Sequence, residues 1–309
     1  MQTKNKLTKI AIATIASLGA MSSSAVSQTI EMIVPFGAGG GTDSVARVFE
    51  QDFSAALGAS VVIRNVTGAS GSVGAQAAAD AAPDGFTIAY LPIGPASIQP
   101  LLRPGTYGAD SWEYICRTVN DPAVLMVQKN GPITSFEDIT KQQEIVYGSA
   151  GAASTPHVAM AALSTSLGIT GLHIPYQGTA DGMRGMAGGE VEIYADLPSV
   201  VKAFDVKPLG IFASERQATF PDVPTMAELG HPLNFSVWHG LFAPAGTPPE
   251  RIKEFEDACE TAVASANFVE KMTNLSTTTS FLGSEDFETF VRAALEANER
   301  VLRSAGLIE

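Results

Sequence analysis

Metal ligands are scarce in this 309-residue sequence, which has two cysteines and four histidines. Cys116 and Cys259 lack the C-x-x-C spacing of zinc and thioredoxin-like redox sites, and the histidines have no ligand spacing. We therefore expect no metal site and no cofactor. In an oxidising compartment the two cysteines can form one disulfide if their Cα atoms lie within about 7 Å, and the sequence leaves their pairing open.

Basic residues are also few, with 19 lysines and arginines against 32 aspartates and glutamates and a net charge of −13. A surface this acidic repels phosphate backbones, and no run of lysine or arginine is present to release counterions. We therefore expect no nucleic-acid partner. Because the same charge repels anionic ligands at long range, any anion site must rely on local dipoles.

After residue 27, no stretch of the sequence reaches the roughly 18 apolar residues that a membrane-spanning helix needs. Near the start, the apolar residues 10–21 follow Lys4, Lys6 and Lys9 and precede small and polar residues at 24–27. This is the arrangement of a secretory signal peptide. No cysteine lies near it, so the sequence shows no lipoprotein site. We expect residues 1–27 to be the signal peptide, cleaved near residues 25–27, and the mature protein to be periplasmic.

Apolar strand-like segments alternate with helical segments along the mature chain. Predicted strands cover residues 29–36, 60–64, 86–91, 123–128, 145–148, 172–175, 191–194 and 238–243. One predicted helix begins near residue 42, and a second ends near residue 82. Five more cover residues 135–142, 156–167, 180–187, 248–266 and 285–304. This βαβ alternation predicts parallel sheets with helices on their faces.

The mature chain is longer than a single hydrophobic core usually allows. We therefore predict two doubly wound α/β lobes, one formed by residues 28–124 and 238–309 and the other by residues 125–237. The chain then crosses between the lobes twice, and the C-terminal helices return to pack on the first lobe.

Three predicted turns between a strand and a helix consist of small residues and carry hydroxyl groups. Unsatisfied amides at a helix N-terminus can bind a carboxylate without lysine or arginine, and glycine lets a ligand approach the backbone. Such turns lie at the carboxyl edge of a parallel sheet, where ligands bind, although ordinary turns and helix caps use the same residues. The candidate ligand contacts are Gly39, Gly40, Gly41, Thr42, Gly68, Ala69, Ser70, Gly71, Ser149, Ser154 and Thr155.

Three titratable residues near these turns have more than one interpretation. Asp43 is most simply an N-terminal helix charge or cap, because its carboxylate would repel an anion. Asp196 either accepts a hydrogen bond from a ligand ammonium group or fixes a neighbouring loop. His157 lies in the first turn of a predicted helix, where its side chain can cap the helix, remain solvated or contact a ligand.

The motifs around these turns resemble the substrate-binding receptors of tripartite tricarboxylate transporters, also called the Bug family. The matching segments occur in family order over nearly the whole mature chain. They are residues 33–36 with 39–43, Asn65 with 68–71, 83–87, 147–149, His157, 175–178, 188–189, 221–225 with Glu228, and 243–248.

The resemblance implies a Venus-flytrap fold of the periplasmic binding protein type II-like class, with two lobes joined by two hinge crossings. It implies a ligand that is usually a carboxylate or an amino acid, held by backbone amides and bridging waters, and we expect the protein to be a monomer. A small and a large membrane subunit would receive that ligand. Carried over to this chain, the family's cleft adds His157, Tyr176, Gly178, Thr179 and Asp196 to the candidate ligand contacts.

Other classes of function compete with this interpretation. A dinucleotide-binding enzyme is disfavoured because the third fingerprint glycine would fall at Thr42, and the second strand ends in Arg64-Asn65 rather than in an acid. A hydrolase is disfavoured because the chain has no G-x-S-x-G or H-E-x-x-H motif, so we expect no catalytic residues. A ligand-sensing partner of a membrane sensor kinase stays open as an alternative, since nothing in the sequence separates it from transport.

Overall fold

The computed structural model describes residues 29–304 and residue 308. The predicted signal peptide and its cleavage site lie outside these residues. Within the described part of the chain, no helix combines the length and apolar character that crossing a bilayer requires.

Strands and helices alternate over most of the described chain. The strands, in chain order, are β1 (Ile30–Val34), β2 (Val61–Asn65), β3 (Thr87–Pro92), β4 (Trp112–Pro122), β5 (Val124–Val127), β6 (Glu144–Ser149), β7 (Thr170–Pro175), β8 (Ile193–Asp196), β9 (Lys207–Ile211), β10 (Ser236–Pro244) and β11 (Thr279–Leu282). The α-helices are α1 (Gly41–Leu57), α2 (Ser72–Ala79), α3 (Gln99–Leu102), α4 (Phe136–Thr140), α5 (Thr155–Leu167), α6 (Thr179–Ala187), α7 (Pro198–Ala203), α8 (Pro249–Ala264), α9 (Ala266–Asn274) and α10 (Ser284–Ser304). Short 3₁₀ or π-helical turns cover Ala69–Gly71, Gly94–Ile98 and Ala109–Ser111.

The strands form two mixed sheets. The first has the order β2-β1-β3-β10-β4-β11, with β1 parallel to β2 and β3 and with β10 antiparallel to both of its neighbours. The second has the order β7-β6-β8-β5-β9, with β6 parallel to β7 and β8 and with β5 antiparallel to its neighbours. Each sheet with its helices forms one lobe. The predicted α/β fold with two lobes, of the periplasmic binding protein type II-like class, is confirmed, whereas the residue boundaries of the domains stay a prediction.

The first sheet contains strands that the sequence pattern did not predict. Strand β4 is buried along most of its length although it carries polar residues such as Arg117 and Thr118. The Arg117 guanidinium lies 4.7 Å from the ring centroid of Phe290 and donates to the backbone carbonyl of Ser280 at 3.0 Å. These partners come from β11 and α10, so the burial of β4 depends on distant segments rather than on its own apolar pattern.

Helix α1 is fixed by an aromatic face. Phe49 and Phe53, one turn apart and fully buried, have ring centroids 5.1 Å apart. Phe49 also packs on Tyr90 of β3, and Phe53 packs on Phe255 of α8. Gly58, in the left-handed region at φ 63°, ends the helix as its C-cap. Because one face and the C-terminal end of α1 are fixed, its N-terminus is held beyond the carboxyl end of β1.

The C-terminal helix α10 packs on the first lobe, as the sequence predicts. Phe287 is fully buried, with its ring 5.7 Å from Trp238 and 5.1 Å from Phe242. A methyl group on Gly240 would lie 2.2 Å from the Phe287 ring, so the helix approaches the β10 backbone directly. Burial of one phenylalanine side chain contributes about 2–3 kcal/mol, and this ring anchors the helix.

The first lobe contains a disulfide, so the two cysteines are paired. Cys116 in β4 and Cys259 in α8 are joined by a disulfide with their Cα atoms 6.6 Å apart, and both residues are fully buried. The bond ties α8, the first of the C-terminal helices, to β4, an inner strand of the first sheet.

A buried acid lies where the chain leaves the first lobe. The Asp121 carboxylate, near the end of β4, accepts the backbone N–H of Thr278 at 3.0 and 3.1 Å to its two oxygens. Burial raises the pKa of Asp121 to about 7, although the bonds from Thr278 act in the opposite direction. A carboxylate with one donor and little water is costly to ionise.

Asp121 is therefore expected to make the protein less stable as pH rises. Its folded pKa exceeds its unfolded value, so its contribution to the free energy of unfolding is complete below pH 4 and is lost as pH rises through about 7. We expect Asp121→Asn to gain about 2 kcal/mol relative to the wild type between pH 5 and pH 8. Urea unfolding at both values measures this difference. Asp222→Asn, at an exposed position, is the matched control and should show no such gain; an equal gain in both variants would contradict the assignment.

Candidate functional site

A cavity of about 30 Å³ lies between the two lobes. It lies where the loops after β1, β3, β6 and β8 meet the first turns of α1, α5 and α6. Its lining residues, none of which is a lysine or an arginine, are Phe36, Gly40, Gly41, Thr42, Pro92, Ile93, Gly94, Pro95, Ala150, Ser154, Thr155, Pro156, Thr179, Asp196 and Val237.

The loop between β1 and α1 is held by the carboxylate of Asp43, which is 1% exposed. It accepts the backbone N–H of Gly39, the Nε–H of Arg47 and an Nδ2–H of Asn65, each at 2.8 Å. Asn65 also donates to the Phe36 carbonyl at 2.8 Å. Because both Asp43 oxygens are directed to these donors, Asp43 shapes the loop from outside the cavity lining. The interpretation of Asp43 as an N-terminal helix charge agrees with this geometry.

The hydroxyl of Thr42 is positioned by a histidine from the other end of the chain. Thr42 Oγ1 lies 3.1 Å from Nε2 of His239 in β10. His239 is fully buried and stacks on Tyr90, with ring centroids 5.4 Å apart. Burial lowers the pKa of His239 to about 3, so its imidazole is neutral. The result is a hydroxyl held at the cavity wall by an uncharged partner.

The first turn of α5 contributes two hydroxyl groups. Ser154 is the N-cap, and its Oγ accepts the backbone N–H of His157 at 3.5 Å. Thr155 lines the cavity and is 4% exposed, and its Oγ1 has no hydrogen-bond partner within the described chain. A buried hydroxyl without a partner is costly, and a ligand in the cavity would supply one.

Ser149 and His157 are directed into the second lobe rather than into the cavity. Ser149 Oγ donates to the Gly151 carbonyl at 2.8 Å and lies 2.7 Å from Nε2 of His173. His157 Nδ1 accepts the Ala153 N–H at 2.7 Å, and its ring stacks on His173 with centroids 3.8 Å apart. Burial lowers the pKa of both histidines, that of His173 to about 4 with His157 as a second cause. The neutral rings support the loop that carries Ser154 and Thr155.

The acid at the end of β8 faces the first turn of α1. Asp196 Oδ2 accepts the hydroxyl of Thr179 at 2.5 Å, and Oδ1 accepts the backbone N–H of Leu197 at 2.7 Å. A Cβ on Gly41 would lie 3.7 Å from Asp196 Oδ1, so the two lobes are in contact here. Burial raises the pKa of Asp196 to about 6, opposed by its bonds to Thr179 and Leu197.

The two lobes also meet directly at the rim. Ser70 Oγ donates to the Ala152 carbonyl at 2.7 Å. Gln99 Nε2 donates to the carbonyls of Ala152 and Ala153 at 3.2 and 3.1 Å. Ala69, Ser70 and Ala153 have positive φ angles of 47°, 56° and 55°, a strained conformation that persists only where its surroundings enforce it. The rim is thus built from strained loops that bond across the cleft.

The structure brings part of the predicted set into the cavity lining and places the rest around it. The predicted residues that line the cavity are Gly40, Gly41, Thr42, Ser154, Thr155, Thr179 and Asp196. The others, which surround it, are Gly39, Gly68, Ala69, Ser70, Gly71, Ser149, His157, Tyr176 and Gly178. The Tyr176 hydroxyl donates to Glu190 Oε2 at 3.0 Å, and a Cβ on Gly178 would lie 3.4 Å from the Gly37 nitrogen.

Sequence reasoning missed one wall of the cavity. Pro92, the last residue of β3, lines the cleft together with Ile93 and with Gly94 and Pro95 of a π-helical turn. The sequence does contain a signal for this wall, Gly94-Pro95 shortly after the predicted strand of residues 86–91, which resembles the other glycine turns. Ala150 also lines the cavity, within the predicted segment of residues 149–155, whereas Phe36, Pro156 and Val237 were not predicted.

Side chains that could ligate a metal are dispersed over the described part of the chain. Within residues 29–304 and 308, no three His, Cys, Asp or Glu side chains are grouped closely enough to hold a metal ion.

This chain is similar in sequence and in fold to known proteins. The chain is 31% identical over 311 residues to a UPF0065 protein of Bordetella pertussis, an alignment that covers 96% of each protein. Its fold matches the structure of a Rhodopseudomonas palustris protein with adipate, with a TM-score of 0.84, 28% identity and coverage of 90% of this chain and 97% of that one. It also matches MatC from Rhodopseudomonas palustris with bound malate, with a TM-score of 0.81, 26% identity and coverage of 89% and 98%.

The family model described as tripartite tricarboxylate transporter family receptor matches residues 45–307, which is most of the chain. This match includes most of α1, the second lobe and the returning C-terminal helices. The chain therefore belongs to the tripartite tricarboxylate transporter receptor family, as its motifs predict.

Proposed function

We propose that this protein is an exported, periplasmic receptor that captures a small carboxylate between its lobes. It delivers this ligand to the small and large membrane subunits of a tripartite tricarboxylate transporter. The lobes comprise residues 28–124 with 238–309 and residues 125–237, and the protein acts as a monomer.

The convergence of three helix N-termini on one cavity carries this proposal. The first residues of α1, α5 and α6 all line it, through Gly41, Thr155 and Thr179. The positive ends of these helix dipoles favour a negative ligand group, although the lining contains no lysine or arginine. The partnerless Oγ1 of Thr155 is an independent sign that a polar ligand group belongs in the cavity.

The structural neighbours support the chemical class of the ligand. MatC holds malate and the second Rhodopseudomonas palustris protein holds adipate, and both ligands are carboxylates. A carboxylate suits a site built from backbone amides and hydroxyls, because each of its oxygens accepts hydrogen bonds without requiring a cation.

Closure of the cleft completes the proposed mechanism. The lobes rotate about the two crossings near residues 121–128 and 235–239. A ligand shifts the population toward the closed form only if it contacts both lobes. In this proposal Gly40–Thr42 contact it from the first lobe, and Ser154, Thr155, Thr179 and Asp196 from the second. The remaining predicted residues, Gly39, Gly68–Gly71, Ser149, His157, Tyr176 and Gly178, hold the loops around the cavity.

The Thr42 hydroxyl provides the test. In the proposed arrangement His239 donates its Nε2–H to Thr42 Oγ1, which directs the Thr42 proton toward the ligand. Thr42→Val should therefore weaken binding of the best ligand among malate, succinate and adipate about tenfold, whereas Thr42→Ser should bind within about threefold of the wild type. Calorimetric titration gives both dissociation constants. Equal affinity of the valine variant and the wild type would contradict the placement of the ligand.

A further inference from the structure

Asp196 is the acid of the cavity, and it has no cation beside it. It is 5% exposed and lines the cavity at the end of β8. Among the described residues, no lysine, arginine or histidine forms an ion pair with it. Its hydrogen-bond donors are the Thr179 hydroxyl and the Leu197 N–H, one to each oxygen. Each oxygen of an ionised carboxylate has capacity for a further donor, so both can accept more.

The position of Asp196 brings it next to the proposed anion site. A Cβ on Gly41 would lie 3.7 Å from Asp196 Oδ1, and one on Gly40 would lie 3.7 Å from the Thr179 Cβ. A ligand carboxylate at the first turn of α1 is therefore a close neighbour of a second, protein carboxylate. Like charges at this separation in a buried cleft repel strongly unless a proton or a cationic group lies between them.

We propose that Asp196 makes the cleft select carboxylates that carry a hydrogen-bond donor, a hydroxyl or an ammonium group, next to their carboxylate. The inference rests on the proposed function and names the ligand class of the same site. The ligand carboxylate takes the helix N-termini, and the adjacent donor binds Asp196. 2-Hydroxy and 2-amino dicarboxylates meet both requirements, whereas a plain dicarboxylate supplies no donor at neutral pH.

The direction of the pKa of Asp196 agrees with this arrangement. Burial raises that pKa to about 6, which shows that the surrounding protein solvates the charge poorly. At pH 8 the group is nevertheless ionised, and a ligand donor then satisfies an acceptor that the protein leaves without a cation. Because a ligand without the donor leaves the buried Asp196 charge without a counterpart, the discrimination is expected to be large.

Matched ligands test the inference on the wild-type protein. Succinate, malate and aspartate share one carbon chain and differ at C2, which carries hydrogen, a hydroxyl or an ammonium group. Titration calorimetry at pH 8 should show malate and aspartate binding at least tenfold more tightly than succinate. Equal affinity for all three ligands would overturn the inference and leave the proposed function intact. Failure of all three and of adipate to bind would overturn both.

The Asp196→Asn variant tests the residue itself. The amide oxygen of the introduced side chain can still accept the Leu197 N–H, and the amide nitrogen can donate one N–H to Thr179 Oγ1. The second N–H of the amide then offers the ligand a donor where the carboxylate offered an acceptor. Succinate should then bind more tightly than it does to the wild type, and the preference for aspartate should fall by at least tenfold. Asp222→Asn, the same substitution at an exposed position outside the cavity lining, is the control and should retain the wild-type preference. An unchanged succinate-to-aspartate ratio in Asp196→Asn would contradict the assignment.

Discussion

Removing the Cys116–Cys259 disulfide is expected to lower the free energy of unfolding by about 5 kcal/mol. The bond closes a loop between residues 143 positions apart, and cross-linking so long a loop removes much of the conformational entropy of the unfolded chain. Both cysteines are fully buried, in β4 and α8, so folding also protects the bond from reductant. The loss should appear as a large fall in the urea midpoint.

Urea unfolding of the wild type with and without dithiothreitol measures this effect. The double variant Cys116→Ala and Cys259→Ala separates loss of the bond from side effects of the reductant, since its midpoint should be the same under both conditions. A wild-type midpoint that dithiothreitol leaves unchanged, with reduction confirmed by thiol labelling of the unfolded protein, would contradict a stabilising role of the bond.

Gly151→Ala is expected to weaken carboxylate binding about a hundredfold, a loss of roughly 2.7 kcal/mol. A Cβ at this position would lie 2.4 Å from Ser70 Oγ and 3.1 Å from Ser70 Cα, across the rim between the lobes. The added methyl group therefore prevents the second lobe from reaching its observed position. The contacts proposed from Thr155 and Thr179 to the ligand would then be lost, although neither residue is changed. Calorimetric titration with malate or adipate measures the effect.

Gly168→Ala is the matched control for that variant. Gly151 and Gly168 both have positive φ angles, of 121° and 68°, in the second lobe, but no atom lies within 4 Å of a Cβ on Gly168. Alanine costs about 1 kcal/mol of backbone strain in the left-handed region at Gly168 and more at the φ angle of Gly151, so both variants should be destabilised. Only Gly151→Ala should lose affinity. Equal affinities for the two variants would show that contact at the rim does not control binding.

The fold is largely predictable because local patterns carry it. The apolar run that becomes β1, the glycine turn after it and the amphipathic segment that becomes α1 each lie within a few residues of their predicted positions. Strand β4 escaped prediction because Arg117 and Asp121 are buried by partners more than 150 residues away, Ser280 and Thr278. Polar residues in a strand become intelligible only when their tertiary partners are known.

The site is predictable to a smaller extent, for a related reason. Glycine and hydroxyl residues indicate which turns form the walls of the cavity, and Thr42, Thr155 and Thr179 line it accordingly. Sequence does not reveal the direction of a side chain. Ser149 satisfies its hydroxyl within its own loop and on His173, while the partner of Thr42 is His239, 197 residues away.

Titration calorimetry of the purified wild-type protein with malate, succinate, adipate and glucose tests the central claim most directly. The proposed function predicts that at least one of the carboxylates binds with one site per chain and that glucose does not, because the cavity combines three helix N-termini with hydroxyl donors. Binding of glucose without binding of any carboxylate would contradict the claim that the cleft is an anion site.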